Sequence, residues 1–203
     1  MGFYQDQILP HLLHLSMRRR HFHAYRNRVI SAAEGHVLEI GIGAGLNLPY
    51  YSAQAERVIG LDPSPKMLAM ARQATSTAVR VELIEGAAES IPLSSGSIDT
   101  VVSTWTLCSV PDLLRALGQI REVLKSNGKF IFVEHGRSPH AAVQWWQNKL
   151  TPAWSRLSGG CHLNRPIVDS LESAGFTIER LETGYMRGPK AMTYMFEGVA
   201  RPR

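Results

Sequence analysis

The sequence predicts an α/β fold: a seven-stranded mixed sheet, parallel in its first five strands, with helices on both faces. Three observations lead there. An apolar, strand-type run at His36–Ile40 ends in three closely spaced glycines, Gly41, Gly43 and Gly45. From that point to residue 135, strand-like and helix-like stretches alternate, as parallel strands joined by right-handed crossovers require. Asp62 closes the next strand-like run, Arg57–Asp62, 23 residues after Glu39. A strand that runs into glycines and then a helix brings backbone N–H groups against a ligand without side-chain interference. An acidic side chain about twenty residues further on is placed to take ribose hydroxyls.

The elements follow in order. Residues 3–17 carry Phe3, Tyr4, Ile8, Leu9, Leu12, Leu13, Leu15 and Met17 at spacings of three and four, which predicts an amphipathic helix broken or kinked at Pro10. The run Arg18–Arg20 leads into a second helix ending near Ala33. A short helix is predicted over Leu46–Ala53, and Asp62-Pro63-Ser64-Pro65 reads as a turn into a helix over Ser64–Ala74, with proline in its first turn. Val79–Ile84 is the third strand, 85–93 a loop, and Ser97–Ser103 the fourth strand. The stretch Pro111–Lys125 is an amphipathic helix through Leu113, Leu114, Leu117, Ile120, Val123 and Leu124, with Asn127-Gly128 as its stop. Lys129–Glu134 is the fifth strand. Residues 138–165 form an insert of helix and glycine-rich turn carrying Trp145, Trp146 and Trp154. After a helix from Arg165 to Ala174, stopped by Gly175, the segments Phe176–Leu181 and Ala191–Ala200 read as an antiparallel pair.

The 203 residues suit a single domain over 1–203, with 44% apolar and 19% charged residues. No apolar run reaches the roughly 18 residues that span a bilayer, and Asp6 stands where a secretory signal would be positive. Cys108 and Cys161 provide no disulfide framework and no C-x-x-C metal spacing. The expectation is a reducing, cytoplasmic setting and no metal. The net charge is +5, of which residues 1–33 hold +4 through Arg18, Arg19, Arg20, Arg26 and Arg28 against Asp6. So local a patch, with no nucleic-acid module around it, argues against a nucleic-acid partner. Two readings of it stay open. Residues 1–33 form a helical lid over the site with its arginines solvated, the favoured reading, or residues 3–28 touch an anionic membrane surface peripherally.

Glu39-x-Gly41-x-Gly43-x-Gly45, followed by Asn47, resembles the first motif of the class I S-adenosyl-L-methionine-dependent methyltransferases, and Leu46 stands where a dinucleotide-binding motif needs its third glycine. The resemblance implies a Rossmann-like fold, S-adenosyl-L-methionine as cofactor, a loop (Gly41, Gly43, Gly45, Asn47) around its methionine part, and Asp62 on its ribose. It places Gly86-Ala87-Ala88-Glu89 near the adenine, with Ala87 where an Asp is frequent, Ala88 contacting through its backbone and Glu89 either substituting or capping the loop. Pro63, Ser64 and Met67, with Thr104 and Cys108, complete the predicted cofactor set; Met67 is either core or a wall for the adenosine. Thr106–Val110, Phe132–Gly136 and Pro152-Ala153-Trp154 with Gly160–Arg165 resemble one branch. It holds animal membrane-associated alkyl-thiol methyltransferases and bacterial relatives labelled phosphatidylethanolamine N-methyltransferases. By this likeness the insert builds the acceptor pocket, with Trp154, Asn164 and Arg165 in it.

Methyl transfer from a sulfonium is an in-line displacement that needs an aligned, unprotonated nucleophile in a dry site. A thiol, with a free pKa of about 8.5, needs less help than an amine near 10. His135, at the end of the fifth strand, leads as general base; His162 and Cys161 are second choices. The preferred reading is S-methylation of a small apolar thiol or sulfide. Alternatives are N-methylation of phosphatidylethanolamine at a membrane surface, and a cofactor-binding module without catalysis. The oligomeric state is left open.

Overall fold

The computed structural model describes residues 2–74 and 79–203, with Asp6 by its backbone alone. One sheet of seven strands runs in the order β3-β2-β1-β4-β5-β7-β6. Its strands are β1 (Gly35–Ile40), β2 (Ala55–Asp62), β3 (Arg80–Glu85), β4 (Ile98–Thr104), β5 (Leu124–His135), β6 (Phe176–Tyr185) and β7 (Tyr194–Pro202). The first five are parallel, and β7 lies antiparallel between β5 and β6. The order reverses between β1 and β4. At such a switch point the crossovers leave to opposite faces and open a crevice beyond the carboxyl ends of the strands.

The helices are α1 (Leu9–Met17), α2 (Arg20–Ile30), α3 (Pro65–Gln73), α4 (Leu113–Val123), α5 (Ala141–Leu157) and α6 (Ile167–Ser173). On one face of the sheet, Leu113, Leu117, Ile120 and Leu171 pack against Leu38, Val101, Phe130 and Phe132. On the other, Val29, Ile30 and Leu68 cover Val37, Val102, Ile131 and Val133. Each large side chain buried in this way is worth about 1.5–3 kcal/mol against exposure. Leu113, Ala116, Leu117, Ile120 and Val123 recur at spacings of three and four and are all buried, so α4 keeps one apolar face.

Four elements differ from the sequence expectation. The helix expected over 46–53 is one 3₁₀ turn, Leu48–Tyr50. Left-handed Gly45 (φ 74°) precedes it, and the side chain of Asn47 is held by three partners, so the chain turns instead of coiling. The helix expected to reach Lys125 stops at Val123. Leu124 is buried against the sheet, opposite Ile98, and Asn127-Gly128 falls within β5 rather than capping a helix. At the N-terminus Pro10 does not break the helical run: a π-helical turn at Tyr4–Ile8 passes directly into α1, and the change of winding falls next to Pro10. The chain bends later, at extended Arg19. Ala191 lies in a 3₁₀ turn, and β7 starts at Tyr194. The antiparallel terminal pair forms as expected, with β6 running on to Tyr185 and β7 to Pro202.

Candidate active site

Two clusters of polar side chains lie at the carboxyl ends of β1, β2, β4 and β5. The first surrounds the glycine turn. Gly41 and Gly43 are left-handed (φ 66° and 56°), a backbone state that costs other residues about 1–2 kcal/mol. Their reasons for being glycine differ. A Cβ on Gly41 would collide with the Thr106 side chain, whereas one on Gly43 would face open space, its nearest neighbour the Gly41 carbonyl at 3.9 Å. The Asp62 carboxylate, at the end of β2, accepts from the N–H of Gly43 (2.9 Å) and of Ser64 (2.8 Å). Burial raises its pKa, against the pull of these two bonds. Ser64 caps α3 through the N–H of Met67.

Behind the turn is a buried polar network. Asn47 donates to Glu39 Oε1 (2.8 Å) and to Thr104 Oγ1 (2.9 Å) and accepts from Arg26 Nε (2.9 Å). Tyr51 donates to Glu39 Oε2 at 2.7 Å. Both Glu39 oxygens are therefore engaged inside the protein, and Glu39 organises the loop through Asn47. Burial pushes its pKa up to about 7, partly offset by Tyr51, Asn47 and the Arg26 charge. Arg26, from α2, also donates to the Met17 carbonyl and stacks its guanidinium on the rings of Trp105 (5.4 Å) and Phe22 (5.8 Å).

That network corrects the picture of an arginine patch lying wholly in solvent. Arg18, Arg19 and Arg20 are exposed. Arg26 is only 3% exposed, and Arg28, itself exposed, forms a two-pronged pair that satisfies the buried Glu197 of β7. An ionised side chain cannot be buried without partners, so the buried Arg26 and the buried Glu197 each tie α2 to the sheet. Trp105 was not among the predicted site residues. Its left-handed backbone (φ 52°) stores strain at the mouth of β4, and Phe22 and Tyr25 of α2 pack edge-on against its ring. The signal was a pair of aromatics three apart in a helix beside a tryptophan after a strand, too common a pattern to single out.

The second cluster lies on the β4–β5 side. Glu134 is buried and accepts from Ser103 Oγ (2.8 Å) and from the N–H of Thr106 (3.0 Å). Burial raises it to about 7. His135 Nε2 lies 2.9 Å from Cys161 Sγ, and these atoms and Cys108 Sγ are all within 4.8 Å of one another. The chain's two cysteines, 53 residues apart and unremarkable by spacing, therefore meet in space. The hydrogen bond from Cys108, with further help from His135, pulls the Cys161 thiol well below the ordinary range despite its burial, while Cys108 moves up. Burial lowers the His135 pKa, but its bond to Cys161 and the nearby negative charge outweigh this and leave it raised. As a free base His135 is compromised, because Nε2 already faces Cys161.

The remaining predicted residues are dispersed. Glu89 caps the start of α4, accepting from the Asp112 N–H and, through its carbonyl, from Arg115. Ala88 is buried, Met67 is half-buried, and Pro63 is exposed beside Asp62. His162 donates its backbone N–H to the Cys108 carbonyl. Arg165 reaches the Val110 carbonyl at 2.6 Å, and Asn164 pairs with Asn148 at the surface. Trp154 approaches Cys161, but Trp145 and Trp146 are 53% and 55% exposed and turn outward, against a dry pocket built of three tryptophans.

A ligand can approach the backbone at Gly43, where a Cβ would meet only the Gly41 carbonyl, beside the buried Asp62 carboxylate, an acceptor for hydroxyl groups. Comparison with known proteins agrees. Residues 38–132 match the family model described as a methyltransferase domain. Human thiol S-methyltransferase TMT1A is 34% identical over 151 residues, 72% of this chain and 62% of that protein. The rat thiol S-methyltransferase TMT1B is 31% identical over 172 residues, 82% of this chain and 70% of that protein. The chain belongs to the methyltransferase family. Its cofactor is S-adenosyl-L-methionine. A phosphatidylethanolamine N-methyltransferase of Cereibacter sphaeroides is 34% identical over 122 residues, 57% of this chain and 59% of that protein. Among solved structures, a S-adenosylmethionine-dependent methyltransferase of Thermotoga maritima, titled a possible histamine N-methyltransferase, superposes with a TM-score of 0.71 at 21% identity, covering 100% of both chains. The methyltransferase thus spans less than two thirds of human TMT1A, and among the described residues no helix is long and apolar enough to cross a membrane.

Proposed function

We propose that this methyltransferase S-methylates a small, mostly apolar thiol or sulfide. One observation carries the preference. The side chains gathered at the β4–β5 end are Cys108, His135, Cys161 and Trp154, and the nearby carboxylate, Glu134, turns inward onto Ser103 and Thr106. An ammonium acceptor needs an anionic or aromatic cage and a strong base to free its lone pair; a thiol needs neither. The names of the TMT1A and TMT1B relatives support the same reading.

When bound, the cofactor supplies a methyl group on a sulfonium. In this reading Asp62 takes the ribose hydroxyls, and the backbone of Gly41–Gly45 lies along the amino-acid part with Asn47 and Glu39 holding the loop's shape. Residues 1–33 act as a lid. Its second helix is bonded to the site by Arg26, and the π-helical turn ahead of its first helix meets the end of α5, where Tyr4 donates to the Leu157 carbonyl at 2.8 Å. Trp105, roofed by Phe22 and Tyr25, excludes water from the line of transfer.

A specific observation favours a second reading, a lipid headgroup acceptor. Phe3, Leu12, Leu15, Trp145 and Trp146 are all at least half exposed, with Arg18–Arg20 exposed alongside the first three, as at a protein surface that meets an anionic bilayer. The Cereibacter relative's name points the same way. The third reading, cofactor binding without transfer, has no observation in its favour. The deciding experiment is mass spectrometry of products formed with S-adenosyl-L-methionine and either a short alkyl thiol or phosphatidylethanolamine vesicles. A methyl thioether supports the first reading; methylated lipid without thioether replaces it with the second.

A further inference from the structure

We propose that Cys108, Cys161 and His135 form a zinc-type metal site, three protein ligands with a fourth position open to the acceptor's sulfur. Their donor atoms come from three separate parts of the chain: the loop after β4, the end of β5 and the turn after α5. They nevertheless lie within 4.8 Å of one another. Two thiolates and one imidazole are a donor set that zinc takes in tetrahedral geometry, and three protein ligands with one open position is the pattern of catalytic rather than structural zinc.

The surrounding backbone is shaped to hold this arrangement. Left-handed Gly159 and Gly160 (φ 68° and 89°) make the turn that carries Cys161 inward, and a Cβ on Gly160 would press on the Ser109 carbonyl at 3.2 Å. The His162 N–H ties the same turn to the Cys108 carbonyl at 2.8 Å. His135 is held in register opposite Met195 by the β5–β7 ladder. Tetrahedral zinc sets its sulfur and nitrogen ligands roughly 3.5–3.8 Å apart, so the 2.9 Å His135–Cys161 pair opens by about 0.6 Å, and a separation at the 4.8 Å limit closes by about 1 Å. One buried polar atom without a partner, His162 Nδ1, belongs to a residue flanking the cluster, and the Trp154 side chain reaches Cys161. A divalent cation between two thiolates and a neutral imidazole leaves a centre of no net charge, which suits a buried site.

The role in transfer rests on the thiol reading above. An acceptor thiol that binds the cation at its fourth position releases its proton to water. A sulfur lone pair then forms the new bond to the methyl carbon as the carbon–sulfonium bond breaks, and that bond's electrons remain on the departing sulfur. No residue need act as a free base, in keeping with His135 Nε2 already facing a thiol.

The test uses the full chain, purified under reducing conditions and titrated with cobalt(II), whose thiolate complexes absorb in the near ultraviolet and whose tetrahedral complexes absorb in the visible. The expected result is one equivalent bound per chain with both signatures, displaced by zinc. Cys108→Ser, Cys161→Ser and His135→Ala should each weaken binding by more than the ~10- to 100-fold that loss of an outer-shell partner costs, with circular dichroism confirming that each is folded. A folded wild-type protein without the thiolate–cobalt signature overturns the proposal. So does a signature that survives in the Cys108→Ser/Cys161→Ser double variant, or a disulfide between the two cysteines under reducing conditions. Metal bound as expected but no thioether formed upholds the site and sinks the thiol reading. Thioether formed equally fast by metal-stripped protein upholds the thiol reading and sinks the metal's role in it.

Discussion

Replacing Glu39 by Gln should remove a pH dependence from the stability of this protein. Glu39 is 1% exposed, and burial raises its pKa from 4.5 to about 7. A carboxyl whose pKa is higher folded than unfolded binds protons more tightly in the native state. Its contribution is therefore fully present below pH 4.5 and is lost as the pH rises through about 7. The difference between 4.5 and about 7, at 1.36 kcal/mol for each tenfold change in proton affinity, amounts to ~3 kcal/mol. The assay is urea unfolding of wild type and Glu39→Gln at half-unit intervals from pH 4.5 to 8. Glutamine replaces one of the acceptors facing Asn47 and Tyr51 with a donor, which offsets the two curves by an amount independent of pH. The stability difference, variant minus wild type, should climb by ~3 kcal/mol across that window and then level off. Glu134 titrates in both proteins and cancels; Asp62 cancels except for its coupling to Glu39, whose pKa its charge helps to raise, so that share belongs to the difference between the curves. A difference that stays flat, or that falls with rising pH, would refute the assignment of a strained, buried carboxyl to Glu39.

Arg26→Met should destabilise the protein by ~3 kcal/mol, because it strips a charge from the buried Glu39–Asn47 network; it should also push the Glu39 transition above pH 7, since the Arg26 charge holds it down. Thermal melts and the same urea series read both effects. Gly41→Ala and Gly43→Ala share the cost of a left-handed alanine, about 1–2 kcal/mol, but only the first collides with Thr106. Gly41→Ala should therefore be the less stable by a further ~1–3 kcal/mol, while Gly43→Ala should keep most of its stability and lose cofactor affinity by calorimetry. Asp62→Ala should weaken S-adenosyl-L-methionine binding by ~10- to 100-fold, the loss of a charged hydrogen bond of about 1.5–3 kcal/mol; unchanged affinity would remove Asp62 from the ribose.

The parts of this protein that the sequence made legible share a physical cause: they are local. The apolar run into Gly41, Gly43 and Gly45, the Asp62 turn with its Ser64 cap, and the amphipathic face of α4 each depend on residues within a few positions of one another. Backbone sterics and the 3.6- and 2-residue periods therefore fix them early in any reading. The errors at 46–53 and at Asn127-Gly128 arose where a side chain's distant partners, Arg26 and Thr104 for Asn47 and the sheet for Leu124, overrode local preference. The two functional clusters were only half visible for the same reason. Arg26 could be counted as a charge but not placed, because its burial depends on α2 crossing strands whose ends are built by residues 39–47 and 104–105. Trp145 and Trp146 could be counted as apolar, but the helix phase that turns them outward is set by Gln147 and Thr151 facing the core. The sequence by itself determined the alternating architecture and the cofactor loop, because chain stiffness and periodicity act over short range. Only the tertiary structure decided that Cys108, His135 and Cys161 share one site, because the approach of three segments up to 53 residues apart is governed by sheet order and by the turn at Gly159-Gly160.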